Sequence, residues 1–139
     1  NIMVASLQKQ TDSMDVRAIE ITIKTGDTVV DVNGAAATIG EAAVIFNAVD
    51  IPAGAIVLSA AMVGIAGATA IGVGITTSGV DLLAVTAVDA AVAPVAVPLL
   101  IDNYSASTPV YLKADDFSTA QEAAVVITYI LRGSSEYNI

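Results

Sequence analysis

Residues 51–80 read IPAGAIVLSAAMVGIAGATAIGVGITTSGV, thirty residues without one charge, bounded by Asp50 and Asp81. The reading of this stretch decides the fold. As a helix it is long enough to cross a bilayer, for which about 20 apolar residues suffice. As strands it is the core of an all-β domain. Its flanks oppose the membrane reading. Spanning helices carry Lys or Arg on the cytoplasmic side and Trp or Tyr at the interfaces. Here the nearest basic residues are Lys24 and Lys113, and the chain has no Trp. Gly54, Gly64, Gly67, Gly72, Gly74 and Gly79 interrupt the run. Pro52 and Gly54 open it on a turn signal, with Pro at the second position and Gly at the fourth.

Within the stretch the period is two. Residues 55–63 set Ile56, Leu58, Ala60 and Met62 against Val57, Ser59, Ala61 and Val63. Both faces are apolar or small, which predicts a strand in the middle of a sheet. Residues 68–76 place Ile71, Val73 and Ile75 on one face and Ala70, Gly72 and Gly74 on the other. A strand face of Ala and Gly permits close approach of another backbone. Residues 77–79 turn the chain into a further strand over 82–88.

The same pattern continues on both sides. Residues 17–24 alternate Ile19, Ile21 and Ile23 with Glu20, Thr22 and Lys24, a half-buried strand. Residues 25–27 form a turn. Strands over 28–32 and 35–39 flank Asn33-Gly34, a strong hairpin signal. Another strand covers 42–49. Pro94 and Pro98 make residues 90–98 an edge strand or a crossing loop, because proline donates nothing to a ladder. Residues 99–104 read as a short strand or loop exit, and 110–114 as a short strand. Residues 115–122 read as a polar loop, with room for one helical turn. Residues 124–131, AVVITYIL, are the strongest strand. Turn signals roughly every ten residues indicate a sandwich, jelly roll or barrel.

Composition agrees. Val, Ile and Thr number 46 against 8 Leu, a bias towards pleated strands. The 26 Ala would favour helix, but the alternation overrides them. With 55% hydrophobic and 14% charged residues, little polar surface is on offer, so faces are expected to be buried against copies of the chain or against something large. The net charge of −9, with five Lys and Arg, opposes binding to nucleic acid and to anionic membranes. No disulfide framework exists, since Cys is absent. No basic region leads into an apolar block at the N-terminus, so no signal peptide is expected.

Catalytic chemistry has few carriers here. Without His and Cys, the commonest general base, the nucleophilic triads and zinc sites are lost. Paired carboxylates remain, as in glycosidases: Asp115 with Asp116, or Asp27 with Asp31. All four fall in turns, where Asp hydrogen-bonds its own backbone. Asp115, Asp116 and Glu122 share one loop that calcium would suit by ligand type, but their spacing fits no EF-hand loop. Gly72-Val73-Gly74 lacks the third glycine and following helix of a nucleotide fingerprint. Six scattered aromatics make no stacking platform. No catalytic, cofactor-binding or metal-binding residue is expected.

The segment order resembles a type of small virion protein of tailed bacteriophages. The matching parts are Ile51-Pro52-Ala53-Gly54-Ala55 with the strand over 56–61, the glycine-bearing strand 70–75, Pro98-Leu99-Leu100-Ile101, Thr108-Pro109-Val110-Tyr111-Leu112, and 125–131. The resemblance spans roughly residues 40–132. It implies a compact β-sandwich or jelly roll that decorates or cements the capsid, often as a trimer, and it brings no catalytic residues. The expectation is therefore an all-β chain, an antiparallel sandwich or jelly roll of eight or nine strands over residues 16–133. Residues 1–15 form an N-terminal arm and 134–139 a tail. The expected partners are the major capsid protein and copies of the chain, a trimer first. The expected location is the virion, after synthesis in the host cytoplasm. The alternative is a receptor- or carbohydrate-binding module of a phage fibre, tail or adhesin.

Overall fold

The computed structural model describes residues 16–98 and 106–131. The proposed arm, the reading of 99–104 and the tail lie outside these residues. The described chain is all β, with ten strands: β1 (Val16–Lys24), β2 (Thr28–Val30), β3 (Ala36–Thr38), β4 (Val44–Ile51), β5 (Ala55–Ala66), β6 (Ala68–Gly74), β7 (Leu83–Asp89), β8 (Val95–Ala96), β9 (Thr108–Asp115) and β10 (Glu122–Leu131). No described helix is long and apolar enough to cross a membrane. The uncharged stretch folds as β5, β6 and the turns around them.

Two four-stranded antiparallel sheets pack together, ordered β1-β10-β5-β8 and β4-β9-β6-β7, with β2 and β3 as a separate hairpin. The pairing follows one rule. With the hairpin set aside, the first of eight strands pairs with the last (β1 with β10), the second with the seventh (β4 with β9), the third with the sixth (β5 with β8), and the fourth with the fifth (β6 with β7). The pairings β10–β5 and β6–β9 then close the two sheets.

The core is the set of inward positions. Ile23, Met62, Val125 and Ile127 from the first sheet meet Ile71, Val73, Val110 and Leu112 from the second, all fully or almost fully buried. β10 lies between β1 and β5 over residues 122–130, as its largely apolar sequence without Pro or Gly requires. Thr69 is the one buried polar residue among those described, and its hydroxyl donates to the Asp115 carbonyl at 2.8 Å.

Three local features depart from the sequence reading. First, β5 changes phase: Ser59 pairs with Thr128 but Val57 with Tyr129, so Leu58 is the extra residue of a bulge. Strict alternation groups Ile56 with Ala60 and Met62. In the structure Ala60 and Met62 are buried while Ile56 is exposed. Second, the turn before β5 is shifted by one residue. The Ala55 N–H donates to the Pro52 carbonyl at 3.2 Å, which puts Gly54, at φ 81°, in the third turn position that requires positive φ. Third, residues 116–121 contain no helical turn. Asp116 and Ala120 adopt left-handed φ, and the loop seats the fully buried Phe117, whose N–H donates to the Gly40 carbonyl at 3.0 Å. The prolines read correctly: β8 is a two-residue strand at a sheet edge.

Candidate functional site

The acidic candidates come first, since they are the chain's only catalytic currency. Asp27 accepts the Lys24 N–H at 2.9 Å. Asp31 accepts the N–H groups of Asn33 and Ala35 at 2.9 and 3.0 Å. Asp89 accepts that of Ala91 at 2.9 Å. Asp115 accepts that of Asp116 at 2.8 Å. Each carboxylate stabilises a turn, as short acidic side chains do where backbone donors are left over. Asp27 and Asp31 belong to successive turns on either side of β2, and Asp115 and Asp116 share the exit from β9. Glu122 stands opposite Lys24 in register at the start of β10. Among the described residues, no three of His, Cys, Asp or Glu stand where they could hold a metal ion.

An open groove of about 260 Å³ lies between the β2–β3 hairpin and β4, lined by Asp31, Asn33, Ala37, Ala43 and Ile45 among others. Its one acidic group is the Asp31 carboxylate already engaged in its turn. Nothing in it is poised to move a proton.

A more elaborate feature lies on the outer face of the second sheet, and sequence reasoning missed it. The β6–β7 loop folds back over the sheet. A β-carbon on Gly72 would meet Val80 Cγ1 at 2.8 Å and the Gly79 carbonyl oxygen at 3.0 Å. A β-carbon on Gly74 would collide with the Asp81 carboxylate and meet the backbone at Val80 and Gly79 at 2.9 and 3.0 Å. The buried Gly79 sits against Ile45 and Lys113. The close backbone approach expected at Gly72 and Gly74 is thus made by the chain's own loop.

Asp81 ties that loop down. Its carboxylate accepts the Ile75 N–H at 3.1 and 3.3 Å, the Thr76 N–H at 3.3 Å, and the hydroxyls of Thr76 and Ser78 at 3.1 and 3.4 Å. Desolvation pushes its pKa up, but hydrogen bonds from the backbone of Ile75, Asp81 and Thr76 outweigh that, and the value lies below the ordinary one. The signal in the sequence is Thr76-Thr77-Ser78-Gly79-Val80-Asp81, short hydroxyl residues and a glycine before an acid.

The outer face of the first sheet differs. Along β10 the outward positions are Glu122, Ala124, Val126, Thr128 and Ile130, and the last four stand opposite Val63, Ala61, Ser59 and Ile56 on β5. Ala124 is buried, and Glu122 is paired in register with Lys24 of β1 on the same face. Of the aromatics described, Phe46, Phe117 and Tyr129 are buried and only Tyr111 is partly exposed.

No protein-family profile and no curated protein matches the chain. A solved structure does: a chain of the cyanophage Pam1 capsid asymmetric unit superposes with a TM-score of 0.53 at 18% identity. The match covers 89% of this chain and 90% of that one. The two chains are therefore nearly equal in length and share a fold over the matched part.

Proposed function

We propose that the protein is a non-enzymatic structural component of a phage virion, a decoration or cement protein that binds the major capsid protein lattice and stabilises the head. We read its sandwich as a jelly roll. First-with-last strand pairing supports this, since a jelly roll is a long antiparallel hairpin rolled into two sheets. The observation that carries the functional reading is the likeness, over about nine-tenths of each chain, to a chain of similar length in a capsid assembly. The engagement of Asp27, Asp31, Asp81, Asp89 and Asp115 in turns supports a structural role over paired-carboxylate catalysis. A homotrimer is part of the reading, on the ground that so apolar a chain gains by burying surface against its copies. The rival, a receptor- or carbohydrate-binding module, needs an aromatic or acidic binding surface; Tyr111 is the one partly exposed aromatic among the described residues, and the acids Asp27, Asp31, Asp81, Asp89 and Asp115 are engaged in turns.

The test is co-sedimentation with heads assembled from the major capsid protein of the same phage. The reading expects the chain to travel with the heads at a fixed ratio to the capsid subunit and to raise their melting temperature. A chain that stays in the supernatant, or that enters particles only in the few copies of a tail part, would refute it.

A further inference from the structure

We propose that Asn33 is a self-modification site, where the backbone nitrogen of Gly34 displaces the side-chain amide of Asn33 as ammonia. The reaction needs only this chain and water, so it stands apart from any capsid role. The turn itself favours it. Val32, Asn33 and Gly34 join β2 to β3, with the Asp31 N–H donating to the Ala35 carbonyl at 2.8 Å and the Gly34 N–H to the Asp31 carbonyl at 3.0 Å. This is a three-residue hairpin loop whose last residue is left-handed, and Gly34 has φ 84°. The turn demands glycine for its backbone. The same missing side chain removes the crowding that slows ring closure elsewhere. A β-carbon at Gly34 would meet nothing within 4 Å, and Asn33 and Gly34 are both exposed, so water reaches the site.

The Asn33 side chain is also free to react. It has no hydrogen-bond partner among the described residues, and only its backbone N–H is held, by Asp31 Oδ1 at 2.9 Å. The other asparagines are worse placed. Asn47 lies inside β4, its Nδ2 donates to Asp50 Oδ1 at 3.2 Å, and Ala48 follows it. Asn1, Asn103 and Asn138 precede Ile2, Tyr104 and Ile139, whose side chains obstruct the attacking nitrogen.

The chemistry balances with water as the one co-reactant. The Gly34 nitrogen gives its proton to solvent base and attacks Cγ of Asn33. The N–Cγ bond forms, the Cγ–Nδ2 bond breaks, and Nδ2 leaves as ammonia with a proton from water. Water then opens the five-membered imide. Cleavage at the side-chain carbonyl gives aspartate. Cleavage at the main-chain carbonyl gives isoaspartate, which lengthens the loop by one carbon. Either product adds one negative charge to the −9 of the unmodified chain. It sets a second carboxylate beside Asp31, in the groove that both residues line.

Folding slows the reaction without stopping it. The Gly34 N–H is bound, so the turn must open before its nitrogen can attack. The hairpin has three ladder pairs and belongs to neither four-stranded sheet. Hairpins of this kind are marginal, and local opening costs less than global unfolding. Near the turn it is tied to β4 by the Asp31–Phe46 bridge and by the Val32 N–H to the Ile45 carbonyl at 3.1 Å.

Peptide mass spectrometry of the folded chain, aged in mildly alkaline buffer beside the same chain in guanidinium, tests this. The denatured sample should gain one mass unit at Asn33 first. The folded sample should gain it at the same residue, several-fold more slowly, ahead of Asn47 and with isoaspartate among the products. Asn33→Gln should abolish that gain. Asp31→Ala removes the acceptor of the Asn33 and Ala35 N–H groups. It should raise the ratio of folded to denatured rate about fivefold, the worth of one ordinary hydrogen bond to the closed turn. The denatured rate carries the effect of the lost charge, so the ratio reads the turn alone. A folded chain unmodified at Asn33 once the denatured sample has fully converted overturns the proposal, as does one in which Asn47 converts as fast. An unchanged ratio in Asp31→Ala overturns control by the turn.

Discussion

The Oδ1 atom of Asp81 occupies the space that a β-carbon on Gly74 would need. One residue must lack a side chain so that the other can hold a loop against the sheet. Gly74→Ala therefore either lifts the loop or distorts β6. Overpacking of this kind costs about 1–3 kcal/mol. Gly40→Ala is the control, because nothing lies within 4 Å of a β-carbon there. It should change stability by less than about 0.5 kcal/mol. Urea unfolding of the two variants measures the contrast, and equal losses would contradict the packing account.

The same carboxylate gives a pH dependence. Its folded pKa lies below its unfolded value. Its contribution is thus complete above the unfolded value, about 3.9, and lost as pH falls through the folded one. The protection of the Ile75 and Thr76 amides relative to their intrinsic exchange rates, followed across that range, should fall on acidification more than that of amides in β10. In Asp81→Asn the two amides should exchange faster already at pH 7 and show little further response. Unchanged protection in the variant would remove Asp81 from this role.

Ile127 is fully buried between Ile19 on β1 and Ala60 on β5. Ile127→Asp places an unpaired charge there and should unfold the domain, a loss of more than about 4 kcal/mol. Deleting residues 1–12 should leave the melting temperature within a few degrees and weaken attachment to heads or sister copies. A deletion as destabilising as the core charge, with attachment intact in the folded fraction, would reverse the role assigned to the arm.

Phe117 tests the loop that reads as merely polar. Its ring is fully buried and its backbone is tied to Gly40. Phe117→Ala should cost about 3–5 kcal/mol, the range for a large side chain removed from a core. A loss under about 1 kcal/mol in chemical denaturation would place the loop outside the cooperative unit.

The strands were legible because period-two alternation survives wherever a strand has one wet face, as in β1, and because a strand paired on both sides reads as a largely apolar run, as in β10. Alternation failed in β5, where the bulge at Leu58 moves Ile56 to the outside. A bulge is set by cross-strand geometry, and no local residue preference announces it. The turn acids were also legible, since Asp31 and Asp27 act on backbone groups two to four positions away. The Asp81 loop was not. Its contacts with Gly72, Ile45 and Lys113 join segments that are remote in sequence, and the glycines of β6 read equally well as room for a neighbouring molecule.

First-with-last strand pairing also bears on synthesis. β1 and β5 meet only through β10, the final strand of the described chain. The join between β1 and β5 therefore cannot form until Leu131 has left the ribosome, with the apolar residues 51–80 already made and uncovered. Non-local pairing of this kind is slow, and exposed strands aggregate while they wait. Nascent chains truncated before Glu122 should thus be the aggregating and protease-sensitive species. Restoring the last ten residues of sheet should convert them to a resistant form in one step, rather than strand by strand.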